Sequence, residues 1–257
     1  MVLTLVTASP VFAADSDAEL AKKLANPVAN LISIPLQYNY DQDFGPDEDG
    51  TKSVLNIQPV WPFSLGNDWN LITRTIIPLV DQNDIPVKGE DESGLGDILQ
   101  SFFFSPKAPV KGWILGFGPV FLYPTASDQM LGGEKWGVGP TVVALTQAKG
   151  WTYGLLANHI ESFAGDDDRA TLSATFLQPF VSYITKTKTT FGVNTESTYD
   201  WRGEQWTVPV NFSISQLLKI GKLPIQISAG VRYWAESPAN GPEGFGARGT
   251  LTFLFPK

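Results

Sequence analysis

The single histidine of the chain, His159, stands two residues before Glu161 and three before Ser162. A hydroxyl, an imidazole and a carboxylate together can perform acyl transfer: the oxygen attacks, the ring takes its proton, and the acid orients the ring. The local pattern argues against that use. Neighbouring residues of an extended strand point to opposite faces, so His159 and Glu161 share a face while Ser162 needs a bend to join them. No nucleophile-elbow motif accompanies the set. The chain is therefore read as non-enzymatic. Metal chemistry is equally restricted, because there is no cysteine and one histidine cannot make a His-rich centre. Asp166-Asp167-Asp168 offers oxygen ligands of the kind that calcium or magnesium takes, but a solvated acidic loop has the same composition. Gly94-Leu95-Gly96 lacks the spacing of a phosphate loop. No cofactor is expected.

A second group of residues suits electrostatic work. Asn70, Arg74, Asp97, Asn158, Gln178, Asn194, Glu196, Asn211, Arg232 and Arg248 interrupt otherwise apolar stretches, and Asn56, Gln58 and Gln226 resemble them. Such residues can line a water-filled passage and set its selectivity. They can also pair among themselves in a nearly closed interior. The elements that carry them decide what they face.

Gly (24) and Pro (19) are frequent and evenly spread, while charged residues make up only 17%, which favours many short strands with tight turns. Nothing reads as a linker, so one main domain is expected. A net charge of −8 argues against nucleic acid, whose phosphates need a basic face. Residues 2–11 form a short apolar run followed by Val11-Phe12-Ala13-Ala14, which reads as a signal-peptidase site after Ala13 or Ala14. No later apolar run reaches the roughly 20 residues of a spanning helix. An exported chain without such a helix is either a soluble sheet protein or a membrane barrel, since a closed barrel satisfies every backbone group in lipid.

From Leu31 onward the hydrophobic period is close to two. It predicts about twelve strands, over 31–40, 54–63, 69–80, 97–105, 112–123, 135–146, 150–160, 171–183, 188–199, 205–215, 223–234 and 245–255. In the third, Trp69, Leu71, Thr73, Thr75, Ile77 and Leu79 share one face and Asn70 and Arg74 the other. In the tenth, Trp206, Val208, Val210, Phe212 and Ile214 oppose Asn211, Ser213 and Ser215. In the last, Phe253 and Phe255 oppose Arg248, Thr250 and Thr252. Most are longer than the five or six residues usual in a soluble sheet, and near the nine to eleven that a tilted membrane strand needs.

Three patterns favour a membrane barrel over a sandwich. Short and long connections alternate, as periplasmic turns and outer loops do. The long connections are acidic, with Asp41, Asp43, Asp47, Glu48, Asp49, Asp84, Glu90, Asp91 and Glu92 among them, whereas the short ones carry Lys107, Lys111, Lys149, Lys186, Lys188, Lys219 and Lys222. Finally, Trp61, Trp69, Trp113 and Trp151 flank short turns, and Trp136, Trp201, Trp206 and Trp234 flank long ones. Two aromatic belts are expected at two membrane interfaces. The barrel's terminal strand ends in Leu251-Thr252-Phe253-Leu254-Phe255, an aromatic-rich signal of the type that barrel-assembly machinery reads, here followed by Pro256 and Lys257.

Several ordered segments carry a family resemblance: Asn-Pro-Val-Ala-Asn-Leu-Ile-Ser-Ile-Pro at 26–35, Gly-Leu-Gly-Asp-Ile at 94–98, Ser-Phe-Ala-Gly at 162–165, Leu-Gln-Pro-Phe-Val-Ser-Tyr at 177–183, Asn-Thr-Glu-Ser-Thr-Tyr-Asp-Trp at 194–201 and Phe-Leu-Phe-Pro-Lys at 253–257. Together they resemble the family of transporter-type outer-membrane barrels labelled "putative MetA-pathway of phenol degradation". The resemblance implies an outer-membrane barrel passing small organic compounds, and carries no functional residues with it.

The expectation is an all-β, closed, up-and-down transmembrane barrel over 31–257, preceded by a signal remnant over 1–14 and a short helical lead-in over 15–30 that either stays periplasmic or plugs the lumen. Its partners would be outer-membrane lipid and lipopolysaccharide, the barrel-assembly machinery and a small solute. The expected role is a porin-like channel in a Gram-negative outer membrane. The alternatives are an enzyme acting on lipid or lipopolysaccharide through His159, and a non-conducting structural barrel.

Overall fold

The computed structural model describes residues 16–256. The signal-type segment expected over 1–14 lies outside them. Among the described residues one helix comes first, α1 (Asp17–Leu24), and fifteen strands follow: β1 (Ile32–Phe44), β2 (Gly50–Ile57), β3 (Val60–Leu65), β4 (Trp69–Asn83), β5 (Glu92–Leu95), β6 (Ile98–Pro106), β7 (Ile114–Tyr123), β8 (Lys135–Ala148), β9 (Trp151–Gly165), β10 (Ser173–Ile184), β11 (Thr189–Thr195), β12 (Ser197–Asp200), β13 (Gln205–Ile220), β14 (Leu223–Glu236) and β15 (Phe245–Phe255).

These segments make twelve staves, because three staves are broken in the middle. Gln58-Pro59 separates β2 from β3, Gly96-Asp97 separates β5 from β6, and Glu196 separates β11 from β12. Pro59 has no N–H to give the ladder, which suffices to interrupt a strand. Every neighbouring pair is antiparallel, and β1 closes the ring on β15 in a register running from Ile32 opposite Phe255 to Tyr40 opposite Ala247. Closure leaves no free sheet edge, the condition for a sheet to survive in lipid.

Alternation along each strand separates an outer apolar face from an inner mixed one. On β9, Trp151, Tyr153 and Leu155 are exposed while Thr152, Leu156 and Ile160 are buried. On β4, Asn70 and Ile72 point in and Trp69 points out. The outward Trp61, Trp69, Trp113 and Trp151 lie toward the short turns, and Trp136, Trp201 and Trp206 toward the opposite end; all are exposed. Trp234 departs from the expected belt. It turns inward, where its indole donates to Asp41 Oδ1 at 3.0 Å.

The ends also differ from the expectation in detail. At one end the connections are 66–68, 107–113, 149–150, 185–188 and 221–222; at the other they are 45–49, 84–91, 124–134, 166–172, 201–204 and 237–244. The contrast in length is weaker than the sequence suggests, since β1, β4 and β9 climb into what read as loop. One of the two two-residue turns explains its own residues. Lys149 and Gly150 both have positive φ, at 50° and 85°, the type I′ geometry that suits a twisted hairpin. A Cβ on Gly150 would also meet the Ile184 carbonyl at 2.8 Å.

Residues 16–31 do not hang free. Ser16 caps α1 by accepting from the Glu19 N–H at 3.3 Å. Leu20, Ala21, Ala29 and Leu31 pack against the inward Leu217 and Leu254 at the short-turn end. Further in, Val28 joins Ile72, Phe103, Val143, Leu145 and Leu156. Each such leucine contributes about 1.5–3 kcal/mol when taken fully from water. Gln147 Nε2 donates to the Lys22 carbonyl at 2.9 Å, and Lys219 pairs with Asp17 at 2.6 Å. The lead-in is thus seated in the barrel mouth as a partial plug.

Candidate functional site

The interior between the plug and the long loops holds a network of paired charges. Arg248, on β15, donates from Nη1 and Nη2 to the two oxygens of Glu196 at 2.8 and 2.7 Å, and from Nε to Asn39 Oδ1 at 2.7 Å. This bidentate pair is a strong, directional form of ion pairing. Glu196 sits at the break between β11 and β12, so the pair bridges the lumen beneath β13 and β14. Arg232, on β14, donates to Asp41 Oδ2 at 3.0 Å and stacks over the Trp234 ring at 4.7 Å. Both partners are nearly enclosed, with side-chain exposures of 9% and 7%. Asp41 therefore has three functions at once: it neutralises Arg232, orients Trp234, and faces Lys52 across the β1–β2 ladder.

Nearer the plug, Arg74 on β4 donates from Nη2 to Gln58 Oε1 at 2.7 Å. Gln58 is placed there by the break before Pro59, and its own N–H is satisfied by the Pro35 carbonyl at 2.9 Å. Arg74 lies within electrostatic reach of Glu196. It also lines an open cavity of about 320 Å³ bounded by residues of the 21–31 segment and the inner faces of the surrounding strands. Gln178, Phe180, Ser182, Thr190 and Asn194 share that wall.

The residues singled out from the sequence divide into those the barrel brings together and those it does not. Arg74, Glu196, Arg232 and Arg248 form one electrostatically coupled set. Asn211 Nδ2 donates to Asn194 Oδ1 at 2.8 Å, and Gln178 lines the cavity below. Asn70 is buried opposite Ser105, and Asn158 is inward beside Thr141 and Phe176. Asp97 departs from the expected partnership with arginine. Seated at the β5–β6 break, it accepts from the Ala126 and Gly133 N–H groups at 3.1 and 2.7 Å and ties down loop 124–134. The sequence reading missed Asn39, which lies inside the first expected strand, and Asp41 and Lys52, which continue the alternation of β1 and β2 into residues taken for loop.

His159 lies outside this set, on the outer face near the long-loop end. Its Nδ1 meets Thr175 Oγ1 at 2.8 Å and its Nε2 meets Glu161 Oε1 at 3.2 Å. Ser162 is elsewhere engaged, its Oγ accepting from the Leu172 N–H at 2.9 Å. Glu161 also accepts from Ser173 at 2.6 Å. In the acidic run, Asp166 Oδ1 accepts from the Asp168 N–H at 2.8 Å and the Asp166 carbonyl accepts from Lys135. Among the described residues, no group of three or more His, Cys, Asp or Glu side chains could hold a metal ion.

Closed ring, apolar outer face and charged interior define an antiparallel β-barrel of the outer-membrane type. Solved structures share the architecture. The COG4313 outer membrane channel from Pseudomonas putida F1 superposes with a TM-score of 0.69 at 16% identity, covering 97% of this chain and 100% of that one. The NanC porin superposes with a TM-score of 0.53 at 11% identity, over 86% of this chain and 98% of that one. At these identities the likeness is one of fold. No protein-family model matches the sequence, and no curated protein matches it.

Proposed function

We propose that the chain is an outer-membrane channel passing small organic solutes by diffusion through its polar lumen. It would stand among lipid and lipopolysaccharide, be inserted by the barrel-assembly machinery, and act without catalysis or cofactor. The observation that carries the reading is the interior itself. Charges bridge the lumen at Arg248–Glu196 and Arg232–Asp41 above a cavity, and a ring of twelve staves is wider than the eight that side chains alone fill. The similarity in fold to an outer membrane channel and a porin supports it, and so do the ordered segments resembling the MetA-pathway barrels. Liposomes containing the refolded chain should swell in small solutes and not in a large polysaccharide. Equal behaviour of loaded and empty liposomes would contradict the reading.

A second reading has one observation in its favour. The Thr175 hydroxyl accepts from Trp201 Nε1 at 2.8 Å and lies 2.8 Å from His159 Nδ1, whose other nitrogen faces Glu161. That is the order of nucleophile, base and orienting acid, on a face that would meet the outer leaflet. Turnover of a lipid ester lost in His159→Ala would favour it; absence of turnover in the unaltered chain would remove it.

A further inference from the structure

Arg74 differs from the other luminal arginines. Arg232 and Arg248 each hold a carboxylate, whereas Arg74 donates to a neutral amide. A guanidinium has five N–H donors, and burying a cation without an anion is costly. Arg74 is only half-buried because one side opens on the 320 Å³ cavity, a volume within the range of small-molecule sites. Two further polar groups on the cavity wall are unsatisfied. The hydroxyls of Ser182 and Thr190 are enclosed without a hydrogen-bond partner, and Thr190 is only 9% exposed. They are neighbours on the inner face, since Ser182 stands opposite Gly192 and Ile184 opposite Thr190 in the β10–β11 ladder. Gly192 lines the cavity beside them, and a Cβ on it would meet Ser213 Oγ at 3.1 Å. Leu31, Val60 and Phe180 supply apolar wall.

We propose that this cavity binds a small organic monocarboxylate in transit, its carboxylate on Arg74, its hydrocarbon body against Leu31, Val60 and Phe180, and its oxygens within reach of the Ser182 and Thr190 hydroxyls. The inference rests on the channel reading and names the class of solute for it. A single negative charge is specified because Arg74 is the one arginine among the residues that line the cavity. The acidic loops stand in open electrolyte, where charges beyond about 8 Å are screened at physiological salt, so they do not set the sign of charge preferred inside.

The test is saturation-transfer NMR on the full chain refolded in detergent, with butanoate and its neutral isostere butanamide as probes. Butanoate should bind at least about tenfold more tightly than butanamide, the margin of one charge-assisted hydrogen bond. Arg74→Gln should abolish that preference, and Thr190→Val, which keeps the shape, should weaken butanoate several-fold. Equal binding of acid and amide to the unaltered chain would overturn the proposal, and so would a preference that survives Arg74→Gln. Heat-modifiable gel migration reports whether the Arg74 variant has folded; if it has not, the acid-to-amide ratio of the unaltered chain and the Thr190 variant decide. Conductance recorded in parallel separates the two readings. Binding without conductance removes the channel and keeps the ligand, while conductance without carboxylate preference removes this inference alone.

Discussion

Arg248 and Glu196 meet in a fork of two parallel hydrogen bonds, 2.8 and 2.7 Å long, across the barrel interior. The guanidinium is 8% exposed and the carboxylate 20%. A pair so enclosed is weak evidence for stability in itself, because desolvation offsets much of the attraction, yet breaking one side leaves a buried charge at a cost of about 3–5 kcal/mol.

Glu196→Gln is therefore expected to act on both stability and selectivity. The unfolding midpoint of the refolded barrel in urea should fall by the equivalent of a few kcal/mol, roughly the broken-pair range. The remaining lumen would hold Arg74, Arg232 and Arg248 without that anion, so the reversal potential in a salt gradient should move toward anions. A shift toward cations would contradict the proposed placement of Glu196 on the solute path.

The Arg232–Asp41 pair predicts a non-additive cycle. Either Arg232→Met or Asp41→Leu alone strands a buried charge and should cost about 3–5 kcal/mol, while the double substitution should cost clearly less than the sum. Chemical unfolding of the four proteins measures the coupling. Additive losses would mean that the two side chains do not depend on each other.

Residues 16–31 close part of the short-turn mouth through Leu20, Ala21 and Val28. Val28→Asp places a carboxylate among Ile72, Phe103, Val143, Leu145 and Leu156, where an unpaired charge is not tolerated. The segment should leave its seat, and single-channel current should rise while the barrel remains heat-modifiable. Unchanged current would mean that solute passes without displacing the segment.

Loop chemistry gives a pH prediction. Lys88 Nζ donates to Asp49 Oδ2 at 2.7 Å, which holds the Asp49 carboxyl below the usual carboxylate range and raises Lys88 above the usual lysine range. A carboxylate with a depressed folded pKa contributes above its unfolded value and loses that contribution as pH falls through the folded one. Acidification below the ordinary aspartate range should release loop 45–49 from loop 84–91. Lys88→Ala should return the NMR titration of Asp49 to the ordinary range and leave the barrel's unfolding midpoint unmoved, since both groups are exposed.

The architecture was legible because lipid and lumen impose opposite chemistry on alternate residues. Asn70 and Arg74 against Leu71 and Thr73 show this directly, as do Ser213 and Ser215 against Phe212 and Ile214. Where both faces are apolar the pattern is silent. Val143 and Leu145 point inward onto Val28 from a stretch of β8 that is apolar on both faces, and where alternation does place a residue inside, as it does Ile72 between Asn70 and Arg74, it does not say what that residue meets, so the seated plug is not legible. Asp41 and Lys52 were hidden for another reason. Their strands run past the membrane-length window, and an acid at a strand end reads as loop. Asp97 sits at a strand break, which aims its carboxylate at the backbone of loop 124–134, a partner that alternation does not reveal. Trp234 was read by its position near a loop, but the inward register of Arg232 and the carboxylate of Asp41 place it inside.

The central claim is tested most directly by single-channel recording of the refolded chain in a planar bilayer. The account predicts discrete current steps whose ion selectivity changes in Glu196→Gln and Arg248→Ala. A heat-modifiable, correctly folded barrel that stays silent, even in Val28→Asp, would contradict it.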